Sequence, residues 1–255
     1  MGAVYTRFYD GAALPLNRRE ALRYFGCGGE GALPAGMETL FDECVRNALA
    51  ACVYRVCYAE FDITFPADSD GKTVDLGFTR AESRSLCRNL EGCRKVIAFA
   101  ATVGMGMERL ISRHSALSPV RGYAFQAIGA ERIETLCDAF NADIAREYAA
   151  AGLYDRPRFS CGYGDFSIEA QPDFFRALDC TRKIGVTLSD GLLMTPSKSV
   201  TAVIGFSDVP RKRNADYYYG AEEDEKGQKA PCHAREERDK CKDCSASDCP
   251  FRRGK

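Results

Sequence analysis

The sequence predicts an α+β domain, a mixed or antiparallel sheet with flanking helices, followed by a small cysteine-rich tail. Three observations carry this expectation. Helical and strand-like segments follow one another irregularly, without the β-α-β alternation of a doubly wound sheet. Two long segments each carry one apolar stripe at three- and four-residue intervals. Composition changes abruptly at about residue 209.

A first helix starts at Asn17, with Glu20 three residues on in the capping-box pattern. It runs through Leu22 and Phe25 and ends at Gly26-Cys27-Gly28-Gly29. A phosphate loop would follow a strand and open a helix, so this glycine cluster is not read as one. A second helix is expected over 36–51, where Met37, Leu40, Phe41, Cys44, Val45, Ala48, Leu49 and Cys52 form the stripe. Strands are expected over 53–65, 74–78 and 96–103, with a short helix over 81–90 between the last two. Helices follow over 105–115 and 124–151, the second burying Ile128, Ile133, Leu136, Phe140, Ile144 and Tyr148. The segment 172–178 reads as helix, and 184–188 and 199–206 read as strands. Residues 1–208 are thus one domain, 209–230 a charged linker, and 231–255 a cysteine-rich, metal-binding tail.

A chain of 255 residues can bury a sizeable core. With 45% apolar and 28% charged residues the composition is that of a soluble globular protein. The net charge of −1 leaves no basic surplus for phosphates, which argues against a nucleic-acid partner. No apolar run approaches the roughly 18–20 residues of a membrane span. The N-terminus lacks the basic-then-apolar layout of a signal peptide, so a cytoplasmic location is expected. Nine of the thirteen cysteines lie between residues 27 and 180, several inside apolar patterns. In a reducing compartment these read as small buried hydrophobes, and the odd total argues against a complete disulfide framework.

The chemistry concentrates in two segments. The first is Arg158-Phe159-Ser160-Cys161-Gly162-Tyr163-Gly164-Asp165. An Arg four residues before a Gly-Tyr pair sets a bidentate cation beside a backbone that a ligand can approach closely, with an aromatic ring next to it. Those parts suit a small zwitterion carrying a flat base, such as S-adenosylmethionine. About thirty residues later comes Leu188-Ser189-Asp190-Gly191-Leu192-Leu193-Met194-Thr195-Pro196-Ser197-Lys198-Ser199-Val200. A cysteine-nucleophile enzyme is disfavoured: His114 and His233 are the only histidines, and nothing in the sequence supplies Cys161 with a base.

Together the two segments resemble the reactivation (activation) domain of cobalamin-dependent methionine synthase. That domain carries Arg-x-x-x-Gly-Tyr and then Thr-Glu-Ser-x-x-Met-x-Pro-x-x-Ser-Val. The resemblance spans roughly residues 10–207 in organisation and is specific over 158–206. The opening Asn17-Arg18-Arg19-Glu20-Ala21-Leu22-Arg23-Tyr24-Phe25-Gly26 looks like the start of free-standing, single-domain relatives. Departures are Gly164 where the long synthases have Pro, Thr195 where they have Trp, and a chain without any Trp. Tyr217-Tyr218-Tyr219 stands as counterpart to family tyrosines near the domain's end.

The resemblance implies an activation-domain-like fold and an S-adenosylmethionine groove. It implies an accessory subunit supporting reductive methylation of cob(II)alamin on a separate cobalamin-binding methionine synthase chain. An electron donor such as a flavodoxin-like protein would take part. By the same resemblance Arg158 contacts the ligand's carboxylate end and Gly162 and Tyr163 line the groove. Asp138 is the acidic residue at the amino-acid end, with Glu134 the alternative one turn away. Met194, Pro196 and Ser199 shape the groove wall.

In the tail, Cys241-x2-Cys244-x4-Cys249-Pro250 with Cys232 or His233 upstream supplies four soft ligands for one tetrahedral centre. Zinc and an iron–sulfur cluster both fit this set, and only the cluster could relay an electron. The alternative function is therefore a corrinoid-protein binding or electron-delivery module without S-adenosylmethionine binding. A purely structural partner-binding domain is the third reading.

Overall fold

Val96 to Ala101, an unbroken run of apolar residues, becomes the centre of a sheet buried on both faces. The computed structural model describes residues 3–27, 33–67 and 70–210. The chain divides into two units, Met1–Asp208 and Val209–Lys255. Tyr217–Tyr219, His233 and the tail cysteines Cys232, Cys241, Cys244 and Cys249 belong to the second unit and lie outside the described residues.

In the first unit the main sheet contains β1 (Tyr5–Tyr9), β2 (Tyr54–Asp62), β5 (Lys95–Thr102), β9 (Ser199–Ser207) and β6 (Tyr154–Asp155) in the spatial order β1-β2-β5-β9-β6. Every pairing is antiparallel. Two small hairpins flank it, β3 (Thr73–Asp75) with β4 (Arg80–Glu82), and β7 (Thr187–Leu188) with β8 (Met194–Thr195). The two-residue period of β5 serves two cores. Ile97, Phe99 and Ala101 face α1 (Arg18–Tyr24), α2 (Glu38–Ala51), α4 (Met105–Leu117) and α5 (Pro119–Ala149). Val96, Ala98 and Ala100 face α3 (Arg84–Asn89), α6 (Gln171–Leu178) and α7 (Cys180–Ile184). A strand buried on both faces reads as a continuous apolar run, which is how β5 stands out in the sequence.

The expected α+β class holds, and most elements fall where periodicity places them. Asn17 caps α1, its side chain accepting from Glu20 N at 3.2 Å. The boundaries carry corrections with physical causes. Helix α5 begins at Pro119, before the expected 124, because proline suits the first helical position. Ile184 ends α7 instead of opening a strand, and Gly185 (φ 73°) provides the left-handed stop. The expected 81–90 helix starts only after Ser83 caps it through Leu86 N, residues 80–82 being strand β4. Neither edge strand, β1 or β6, follows from the sequence pattern. Each is short and is specified by its partner, β2 or β9, rather than by its own residues.

Helix α5 is tied to the N-terminal segment by a fully buried ion pair. Arg132 Nε donates to Glu131 Oε2 at 2.6 Å, and its two Nη atoms donate to the carbonyls of Leu14 (2.7 Å) and Pro15 (2.9 Å). Glu131 in turn accepts from Asn17 N at 2.9 Å. Each guanidinium nitrogen thus has an acceptor, the condition for tolerating buried charge. Among the described residues no helix is long and apolar enough to cross a membrane.

Candidate functional site

Beyond β6 the chain stays extended along the edge of β9. Arg156 N donates to Gly205 O, and Phe159 and Val203 exchange both backbone hydrogen bonds at 2.9 Å. This holds Arg158 opposite α5. On that helix Glu134, Asp138 and Asn141 recur at four and three residues, so they share one face. The guanidinium is clasped between them. Arg158 Nη1 donates to Asp138 Oδ1 at 2.6 Å, and Nη2 donates to Glu134 Oε2 at 2.5 Å. Asn141 lies beside them, and with its amide assigned in the orientation that satisfies both ends, the nitrogen donates to Cys137 O (3.2 Å) and the oxygen accepts from Arg158 Nη1 (3.0 Å).

The Arg158 side chain is only 12% exposed, whereas Asp138 is 33% and Glu134 45% exposed. Among the described residues the Arg158 guanidinium faces two carboxylates. Cys137, on the adjoining part of α5, has its thiol pushed up to about 12 by full burial and is inert. Asp138 and Glu134 are alternatives in the sequence; the fold engages both. Asn141 escapes the sequence reading, although its position three residues beyond Asp138 marks the same helix face.

Four residues after Arg158 the backbone turns sharply. Gly162 has φ 88° and its N–H donates to Phe166 O at 2.8 Å. A Cβ there would stand 3.1 Å from Ile168 Cδ1, so both conformation and space call for glycine. Gly164 (φ 57°) completes the turn. Tyr163, raised at its apex, is 71% exposed and is not a core ring. Cys161 points the other way: it is buried, its sulfur 3.6 Å from Thr201 Oγ1 and 3.8 Å from Gln171 Oε1. Burial raises its pKa, which disfavours the thiolate. His114 rests its ring 5.0 Å from Phe125.

The second segment forms the β7–β8 hairpin and the turn into β9. Met194 is half-buried against the core that also holds Phe159 and Phe166. Pro196 is buried, with a cis bond to Thr195. Ser199 Oγ donates to Pro196 O at 2.8 Å and shares a hydrogen bond with Thr102 Oγ1 at 2.9 Å. These three side chains hold the turn in shape. Lys198, between them, lies across α5, because a Cβ on Gly129 would stand 3.0 Å from its Cγ. Burial lowers the Lys198 pKa. Among the described residues no group of three or more His, Cys, Asp or Glu is placed to hold a metal ion.

No family model matches the chain. No curated protein matches it either. Among solved structures it is similar to the crystal structure of the MetH reactivation domain bound to AdoHcy, with a TM-score of 0.57 and 14% sequence identity. The match covers 85% of this chain and 80% of that one. At that identity the likeness is one of fold: this chain folds as the MetH reactivation domain does.

Proposed function

We propose that residues 1–208 bind S-adenosylmethionine and act as an accessory subunit for reductive methylation of cob(II)alamin on a separate cobalamin-dependent methionine synthase chain. The observation that carries this reading is the meeting of Arg158 with Asp138 and Glu134, four residues before the Gly162-Tyr163 turn. An amino-acid end needs a partner for its carboxylate and one for its ammonium, and this cluster offers both. Two carboxylates beside the guanidinium also suit a ligand that carries a sulfonium cation in addition to its ammonium. The exposed Tyr163 ring supplies a stacking face for a flat base. The fold likeness to a domain crystallised with AdoHcy supports the same reading.

In this role the chain needs no nucleophile of its own. Its work is to hold the methyl donor in position for cobalamin on the partner chain, so catalysis is positioning. A one-electron donor, such as a flavodoxin-like protein, completes the reaction. Met194, Pro196 and Ser199 form the groove wall. The tail cysteines Cys232, Cys241, Cys244 and Cys249 are proposed to hold zinc or an iron–sulfur cluster, since four soft thiolates suit either.

Calorimetric titration of S-adenosylmethionine into wild type and Arg158→Ala tests the reading. Saturable binding that the substitution weakens by about 1.5–3 kcal/mol, the scale of a charge-assisted contact, is the expected result. Wild-type protein that takes up no ligand would overturn methyl-donor binding by the isolated subunit.

A further inference from the structure

We propose that Lys198 is a nucleophilic amine and a site of acyl modification, attacking small activated acyl groups such as those of acyl phosphates and acyl thioesters.

Lys198 follows the Pro196-Ser197 turn and immediately precedes β9, its carbonyl accepting from Val103 N at 3.1 Å. Its side chain crosses the middle of α5. A Cβ on Gly129 would stand 3.0 Å from Lys198 Cγ, 3.1 Å from its Cε and 3.1 Å from Met107 Cγ. The stem therefore runs in a slot floored by helix backbone, with the buried Met107 beside it. Glycine inside a helix weakens it relative to alanine, so the slot is kept open against helix propensity.

The fold fixes the stem and leaves the amine unpaired. Among the described residues none accepts a hydrogen bond from the Lys198 ammonium and none forms an ion pair with it. Glu108 of α4 is the acid that acts on it, and that carboxylate is already engaged. Its Oε2 accepts from Ser197 N at 2.7 Å and from Ser197 Oγ at 2.6 Å. Burial, the larger effect, lowers the Lys198 pKa, and Glu108 offsets part of it. An ammonium drawn out of water without a partner gives way to its neutral form, which is the nucleophile. Lys198 is half-buried rather than sealed, so a small reagent can reach it. Lys95 shows the opposite arrangement, paired with Glu60 and Asp62, while Lys72 stands exposed.

In the reaction the neutral amine adds to the acyl carbonyl. A C–N bond forms and the C–O bond to phosphate, or the C–S bond to the thiol carrier, breaks. The leaving group departs as phosphate or thiol and carries away the proton that the amine gives up. The amide product is neutral, which removes the penalty that burial places on the ammonium. Glu108 keeps both Ser197 bonds throughout, so no carboxylate is stranded.

The test incubates the full chain at neutral pH with acetyl phosphate, and separately with acetyl-coenzyme A. Peptide mass spectrometry follows acetylation at Lys72, Lys95, Lys183 and Lys198 in the same sample. Lys198 is expected to react severalfold faster than Lys72, and Lys95 more slowly than either. Whichever donor gives this order identifies the source of the acyl group. In urea the preference for Lys198 should vanish. Glu108→Gln should speed acetylation of Lys198 and leave Lys72 unchanged, since it removes the charge that steadies the ammonium. Gly129→Ala should bring Lys198 down towards the Lys72 rate, because the methyl lifts the stem from the helix; a circular-dichroism melt confirms that this variant is folded.

Lys198 reacting no faster than Lys72 with either donor would overturn the proposal. A preference that survives in urea would place its origin in the local sequence and overturn the role of the fold. Glu108→Gln slowing Lys198, or folded Gly129→Ala leaving its rate unchanged, would overturn the part assigned to the acid or to the slot.

Discussion

Asp165, the last residue of the Gly-Tyr motif, is fastened to Ser83, the residue that caps α3. Ser83 Oγ donates to Asp165 Oδ1 at 2.5 Å, and the N–H groups of Arg84 and Ser85 donate to the same carboxylate at 2.8 and 3.1 Å. The turn that raises Tyr163 is thereby anchored on both sides, to β9 before it and to α3 after it.

This anchor makes stability depend on acid. The Ser83 hydrogen bond first, then the Ser85 and Arg84 bonds, lower the Asp165 carboxyl from 3.8 to about 2. Its folded-state value lies below its unfolded value, so its contribution is complete above pH 3.8 and is lost as pH falls through about 2. Asp165→Asn should lower stability at neutral pH by about 1 kcal/mol, the scale of a solvent-screened hydrogen-bonded carboxylate. It should also flatten the acid limb of the curve. Urea midpoints measured from pH 2 to pH 6 check both; a mutant limb as steep as wild type would refute the assignment.

Gly162→Ala should strain the turn. The left-handed conformation costs a residue with a Cβ about 1–2 kcal/mol, and the methyl would press on Ile168. AdoHcy affinity is expected to fall with thermal stability. Adding Ile168→Ala should relieve the steric part alone, so a partial recovery of melting temperature is the result to look for.

Arg158→Lys keeps the charge and loses the fork. A single ammonium cannot span Asp138 and Glu134 with the geometry of two Nη atoms. AdoHcy binding should drop about tenfold while the fold is retained. Titration beside a circular-dichroism melt distinguishes this from unfolding, and unchanged affinity would show that only charge matters at this position.

Arg132→Met should be far more damaging than any change at the site. It leaves the Glu131 carboxylate buried without its cation, a loss of about 3–5 kcal/mol. Glu131→Gln combined with Arg132→Met removes the stranded charge and should recover part of that loss. Chemical denaturation of the single and double variants measures the difference.

For the tail, elemental analysis and visible absorption of anaerobically purified protein should show one metal centre. Cys244→Ser should abolish it without altering the melting of residues 1–208. A broad visible band would identify the iron–sulfur cluster; zinc with no such band would remove the electron-relay role. Metal-free protein, or metal content indifferent to Cys244→Ser, would count against the tail site altogether.

Much of the scaffold is legible locally. The stripe of α5, the cap at Asn17 and the apolar run of β5 follow from periodicities of 3.6 and 2 that any neighbour of the right polarity satisfies. The relative positions within Arg158-x-x-x-Gly162-Tyr163 are likewise fixed by the chain itself. Edge strands are not legible: Tyr5–Tyr9 and Tyr154–Asp155 are strands because β2 and β9 offer free hydrogen-bonding edges, far away in sequence. Cys161 looks available beside two glycines, yet the turn drives it inward against Thr201.

The sequence by itself determined the α+β class, the helix and strand periods, and the glycine-bearing turn, because these depend on interactions within a few residues. Only the tertiary structure decided that Glu134 and Asp138 both grip Arg158, twenty and more residues away, and that Asn141 joins them. A helical repeat says which residues share a face. It does not say what that face meets, because the partner is chosen by the antiparallel path of the chain along β9.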